Sequence, residues 1–266
     1  MIIMPEQYQL EEDSRLIEKI VNHEVAVKIF DWIKSEHLDE IYNTVYDSSF
    51  LRLNDTVAPA LMQQLRRACE LFGLEEVPPV YVLRDFDDTI SIGGISTPFL
   101  IIADRYLEML ERERPELLLG VLAAQVGAIQ AGHHRGLILS WLLSSVASQL
   151  PIPGFILGAL DGLINDWKRC RLFTCDRAMY LAVRDYPLAL RGILAGTVPT
   201  DILDNMALGT KKDAYQAQVR TFMENGALDG LINMANSFLS DTSWLPPRCH
   251  ALEEFANSQR RVSNGC

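Results

Sequence analysis

Metal coordination is the first chemistry suggested by the histidines and cysteines of this chain. His133 and His134 are adjacent, and Cys170 and Cys175 are five positions apart. Neighbouring residues on a helix point about 100° apart, so the two histidines cannot chelate one ion together. A spacing of five is also unfavourable for two ligands on one helix. A metal site that uses His133, Cys170, Cys175 or His250 has little support from spacing and stays an open alternative.

Composition narrows the classes of function. The formal net charge is −11, and an acidic surface repels phosphate backbones, so no nucleic-acid partner is expected. The sequence contains no GxSxG elbow and no Walker loop. The five cysteines are too scattered for a disulfide framework, and the first residues lack a basic region followed by a long apolar core. We therefore expect a cytoplasmic protein with reduced thiols.

The elements that must position any site are mostly helical. Apolar spacing predicts a helix over 57–73 that ends at its glycine. Residues typical of strands occupy 80–83 and 97–103, with a turn at Gly93-Gly94 between them. The pattern predicts a mainly α protein with a small β-sheet, of the α+β class. We expect a polar tail over 1–20, a single domain over 21–260 and a second tail over 261–266.

Two uncharged stretches follow the predicted strands. Leu117–Ala131 carries no full charge, which predicts a helix buried on nearly every side. Residues 136–164 contain a long apolar segment interrupted near Pro151 and Pro153, which predicts a helical hairpin insertion. Glycines that recur every four residues allow another backbone to approach closely, and this pattern is formed by Gly154, Gly158 and Gly162. A buried hairpin, an oligomer-forming surface and a membrane contact are all open for this segment.

Several segments in order resemble a known family. DDTISIG (87–93) and PFLIIADRYLEML (98–110) resemble the elements before the family's active helix, and ELLLGVLAAQVGAIQAGH (116–133) resembles that helix. RCRLFTCDRA (169–178) resembles the family's downstream helix. WLPPRCHALEEFA (244–256) resembles the proline and arginine segment near the family's C-terminus. The chain is similar, over about residues 22–260, to the HtpX-like gluzincin zinc metallopeptidases, which include the Oma-type and CAAX-processing proteases. The resemblance implies a gluzincin-like peptidase fold.

The residues that carry the family's chemistry are replaced here. The resemblance aligns the two histidine ligands with Ala124 and Ala128, the general base with Gln125, and the glutamate ligand with Leu172. Alanine and leucine have no lone pair to offer, and an amide cannot accept a proton near neutral pH. The sequence therefore predicts no catalytic residues, no metal and no cofactor.

Two features of the family could persist without a metal. Asp176 and Arg177 match the downstream helix motif, where the aspartate orients a ligand histidine; here we expect it to pair with Arg177, Arg169 or a helix end. In gluzincins an edge strand binds substrate as an added β-strand, which needs no ion. The corresponding peptide-groove candidates are Ser91, Ile92, Gly93 and Gly94.

The resemblance thus implies a catalytically inactive homologue, a pseudopeptidase. Its expected work is to bind a peptide, or to act as a scaffolding or regulatory subunit for a protein partner such as an active metallopeptidase paralogue. Self-association into a homo-oligomer is open. The alternatives are a membrane-associated adaptor that uses 136–160, and a peptidase with a relocated metal site.

Overall fold

The computed structural model of the chain describes residues 2–84, 89–146, 154–196, 198 and 245–264. The protein is mainly helical with one small mixed sheet, as the sequence predicts. The helices of the described residues are α1 (Glu11–Val21), α2 (Glu24–Ser35), α3 (Leu38–Ser49), α4 (Pro59–Phe72), α5 (Asp104–Glu108), α6 (Leu118–Gln130), α7 (His133–Val146), α8 (Gly154–Val183), α9 (Tyr186–Ala195) and α10 (Leu245–Asn264). The strands are β1 (Leu51–Arg52), β2 (Val80–Leu83), β3 (Ile90–Gly93) and β4 (Phe99–Ala103).

The sheet has the order β1-β2-β4-β3. β2 and β4 are parallel, whereas β1 and β3 pair with their neighbours in antiparallel orientation. Every residue of β4 is buried because both faces of the sheet are covered. One face packs into the main core with α4 and α6, and the other packs against Tyr42 and Tyr46 of α3. β3 is thus an edge strand beside the helical core.

α6 and α8 form the centre of the protein. α6 is buried on nearly all sides, as predicted from its lack of charge. A Cβ atom on Gly127 would lie 2.6 Å from the Cβ of Ala178, so the two helices approach closely at this glycine. Gly73 ends α4 in the left-handed conformation, with φ of 66°, where a glycine is favoured.

The first twenty residues are not a polar tail, and this expectation was wrong. Ile3 and Tyr8 are buried, and the Tyr8 hydroxyl donates a hydrogen bond of 2.8 Å to the Gly127 carbonyl. Three apolar residues of α1 form a stripe that is buried in spite of the surrounding acids: Leu16, Ile17 and Ile20. The second tail was expected to begin at residue 261, and this boundary is also wrong, because α10 continues to Asn264.

The predicted hairpin over 136–164 is not an independent insertion. Residues 147–153 lie outside the described residues, and the second arm is the beginning of α8, which continues to Val183. Leu139 and Leu142 of α7 pack with Ile164 and Trp167 of α8 in a second core that also includes α1 and α2. α8 ends at Val183, and Arg184 has a φ of 53° before α9 begins.

No single helix of the described ranges is long and apolar enough to cross a bilayer; the segments Pro115–Gln130 and His133–Ser145 reach that length only together, and they are bent by 83°.

Candidate functional site

A cavity of about 670 Å³ lies where β3 faces the two central helices. Ile90–Gly93 forms one wall, and α6 and α8 form the opposite wall. Aromatic side chains line a further part of the cavity, namely Tyr42, Tyr46 and Trp141. Trp141 is 48% exposed, and its ring centroid lies 5.8 Å from that of Tyr42. The cavity therefore combines a strand edge with an aromatic surface.

Three of the four positions that the resemblance aligns with zinc-site residues line this cavity. Ala124 and Gln125 project from α6, and Leu172 projects from α8. Ala128 is fully buried and does not line it. These side chains do not fit a zinc ion, because three of them offer no donor atom and the fourth offers only a neutral amide. Within the described ranges, no group of three or more His, Cys, Asp or Glu side chains could hold a metal.

Asp176 is engaged in a buried ion pair. Both of its carboxylate oxygens accept hydrogen bonds from Arg248, at 2.8 Å from Nε and 2.7 Å from Nη2. Burial alone would lower the pKa of Arg248, but the Asp176 carboxylate outweighs it and raises this pKa. The expected pairing with Arg177 does not form, since the Arg177 guanidinium lies 4.8 Å from the centroid of the Phe255 ring. Asp176 lines the cavity and Arg177 does not.

Burial disfavours the charged forms of two ionisable groups that line the cavity. Burial raises the pKa of the Cys175 thiol to about 12 and also raises that of Tyr42. Among the described lining residues there is no histidine and no glutamate. Asp176, the remaining carboxylate, is held by Arg248. The arrangement can bind a ligand, but it lacks a poised general base.

The relocated-site candidates are used structurally or lie elsewhere. His133 is fully buried and its Nε2 lies 2.9 Å from Asp13 Oδ2. Burial raises the pKa of Cys170 to about 11. His250 Nε2 lies 3.6 Å from a Glu254 oxygen in α10. Cys175 is the member of this set that lines the cavity.

The outer edge of β3 carries backbone groups that can accept another strand. The Ala103 amide donates to the Thr89 carbonyl at 3.0 Å, and Ser91 pairs with Ile101 in the same register. Backbone groups alternate in direction along an antiparallel strand, so the N–H and C=O of Ile90 and Ile92 point away from the sheet. Within the part of the chain that the structure describes, no hydrogen bond reaches these groups.

The four groove candidates from the sequence have different roles. The side chain of Ile92 is buried in the core, so only its backbone can face a ligand. Gly93 lies directly against the Phe99 ring, which leaves no space for a Cβ atom. Gly94 has a φ of 88° and lies against the Thr97 carbonyl, so the turn before β4 requires a glycine there. All four, Ser91 included, line the cavity.

The glycine pattern of α8 faces open space. Gly158 and Gly162 are exposed, and a Cβ on either would meet no atom of the described chain within 4 Å. Gly154 begins the helix. The expectation that these glycines face a partner therefore stays a prediction.

No protein-family model, no curated protein and no solved structure matches the chain. The resemblance to HtpX-like metallopeptidases accordingly stays a prediction from motifs.

A buried polar centre was missed by sequence reasoning. Asp13 is fully buried and its carboxylate accepts hydrogen bonds from His133, Trp167 and Thr174, at 2.9, 2.8 and 2.7 Å. Burial by itself would raise the pKa of Asp13, but hydrogen bonds from His133, Thr174 and Gln9, above all that of His133, lower it. The sequence contained a signal for the burial of Asp13, because this residue precedes Leu16 by one helical turn and therefore shares its buried face.

Proposed function

We propose that this protein is a catalytically inactive homologue of the HtpX-like gluzincin metallopeptidases that binds an extended peptide segment. In this proposal the peptide adds as a strand to the outer edge of β3. The observation that carries it is the outer edge of β3, at Ile90 and Ile92, which no other strand of the described residues covers and which opens into the cavity lined by the replaced positions Ala124, Gln125 and Leu172.

Strand addition needs no metal, which makes binding separable from cleavage. Backbone hydrogen bonds provide affinity, and pockets for alternate side chains provide specificity. The two central helices offer apolar surface at Ala124 and Leu172, and Trp141 and Tyr42 offer aromatic surface for those side chains. A peptide held here would not be cleaved, since Gln125 cannot act as a general base.

We also propose that the chain has a gluzincin-like fold. A mixed sheet with an antiparallel edge strand beside a pair of packed helices is consistent with a gluzincin-like fold. The peptide would come from a protein partner, and an active metallopeptidase paralogue is one such partner.

A library of displayed random nonapeptides, selected on the full chain, tests the binding mode. Peptides retained by the protein should lose binding when their backbone nitrogens are methylated singly at every second position. The intervening positions should tolerate methylation, because strand pairing uses alternate amides. The measurement is the dissociation constant of each methylated peptide by fluorescence anisotropy.

Ile90→Pro removes one outward-facing donor of β3 and should weaken peptide binding about tenfold, the effect of roughly one lost hydrogen bond. Arg52→Pro is the matched control, since the register of β1 directs its amide outward at the opposite edge of the same sheet. Thermal unfolding verifies that both variants are folded. Failure to retain any peptide, or a methylation pattern without a period of two, contradicts the proposal.

A further inference from the structure

The charged side chains that line the cavity are mostly positive, whereas the chain as a whole carries a net negative charge. The formal net charge is −11, yet the cavity is lined by four cations and one anion. The anion is Asp176, which is neutralised by Arg248. The other cations are Lys168, Arg169 and Arg171, all from α8. A concave site lined with one sign of charge attracts ligands of the opposite sign.

Two of these cations lie on one face of α8 beside a replaced position. Lys168, Arg171 and Leu172 are separated by three and four positions, so they project from the same side of the helix. Arg169 is also near a carboxylate, with Nη1 3.7 Å from Asp166. Lys168 has no ion-pair partner among the residues that the structure describes.

Arg171 supplies a second observation that points to an anionic ligand. Its Nε is buried and has no hydrogen-bond partner in the described chain. Its guanidinium carbon lies 6.0 Å from the centroid of the Trp167 ring, so one side of the group is covered by an aromatic ring. A buried donor of a charged group without an acceptor is costly, and a bound anion would remove that cost.

We propose that the cavity recognises an anionic side chain, a carboxylate or a phosphate, on the bound peptide, through Lys168 and Arg171. This inference rests on the proposed strand addition to β3, because alternate side chains of an added strand point toward the helices that carry the two cations. The shared chemistry is an oxyanion that accepts hydrogen bonds from a lysine ammonium and an arginine guanidinium.

Four pools of N-acetylated, C-amidated nonapeptides provide the test. They are random at eight positions and carry Glu, phosphoserine, Gln or Lys at the central one. Retention on the immobilised full chain is quantified by mass spectrometry. The Glu or phosphoserine pool should be retained about tenfold more than the Lys pool, with the Gln pool between them. The better retained of the two anionic pools identifies the source of the oxyanion.

Lys168→Gln should remove most of this preference, and Arg171→Gln should do the same if it remains folded. Lys34→Gln is the control, because Lys34 is an exposed residue of α2 away from the cavity. Equal retention of all four pools, or an unchanged preference in Lys168→Gln, overturns this inference and leaves peptide binding intact. Retention of none of the pools overturns the proposed function and this inference with it.

Discussion

Replacing the buried Asp13 is expected to lower the free energy of unfolding of this protein strongly. The carboxylate joins α1 to α7 and α8 through His133, Trp167 and Thr174. In Asp13→Ala all three donors lose their acceptor in a site that is closed to solvent. The Thr174 hydroxyl can rotate and His133 can change its tautomer, but the Trp167 Nε1–H has no such freedom.

The magnitude follows from the number of donors left without a partner. Each buried donor without an acceptor costs about 1–3 kcal/mol. With partial relaxation of two of the three donors, Asp13→Ala should lower the free energy of unfolding by about 3–5 kcal/mol. Asp13→Asn retains one acceptor oxygen and should cost less, about 1–2 kcal/mol.

Urea unfolding followed by circular dichroism measures both variants against Glu12→Ala, an exposed neighbour whose pair with Arg15 should contribute less than about 1 kcal/mol. The slope with denaturant should remain that of the parent chain. If Asp13→Ala and Glu12→Ala lower stability equally, the network does not hold α1 in place and the reasoning is refuted.

Three further outcomes are expected. Burial, assisted by Arg135 and His133, lowers the pKa of His134 to about 4. As the pH drops from about 6.5 toward 4, the unfolded chain therefore binds a proton at this histidine before the folded chain does. The urea midpoint should fall over this range, and it should fall less steeply in His134→Gln. Asp176→Ala should destabilise the protein by about 3–5 kcal/mol, because it removes the carboxylate that pairs with the buried Arg248 guanidinium. The double variant Asp176→Leu with Arg248→Met should recover most of the loss, and urea unfolding measures both. Gly127→Ala should lower the free energy of unfolding by about 1–3 kcal/mol through overpacking. Gly158→Ala should raise it by about 0.5–1 kcal/mol, because the added Cβ meets no neighbouring atom of the described chain. A change of the same sign in both variants would contradict the packing described.

The elements with strong local signals were predictable from the sequence. The strand at 80–83, the turn at Gly94 and the end of α4 were all found where composition and glycine spacing placed them. The uncharged helix over 117–131 was also predictable, because a helix without charge has no side to turn toward water. The coarse α+β class followed from these elements together.

Elements whose position depends on distant partners were missed. α3 and β1 were not predicted, since their residues are mixed in polarity and are ordered by contacts with the sheet. Trp32 of α2 is exposed, because Ile29 and Ile33 occupy the buried face of that helix. The break after Val183 had a visible signal in Asp185, which caps α9.

The site itself was predictable only in part. Spacing along α6 and α8 indicated which positions share a helical face, and the family motif indicated that Ala124 and Leu172 belong together. The partner of Asp176 was not predictable, because Arg248 lies 72 positions further along the chain and no periodicity connects them. The unpaired Nε of Arg171 depends on packing and is equally invisible in the sequence.

The hydrogen bonds of Asp13 join residues that are up to 161 positions apart, which delays the completion of the fold during synthesis. Until α8 has emerged from the ribosome, α1 lacks the surface that it covers, and an isolated helix of its length is marginal in water. The nascent chain therefore exposes the apolar stripe of α1 while most of the protein is still being translated. Contacts of such long sequence separation form slowly, so we expect the docking of α1 to be among the late steps of folding.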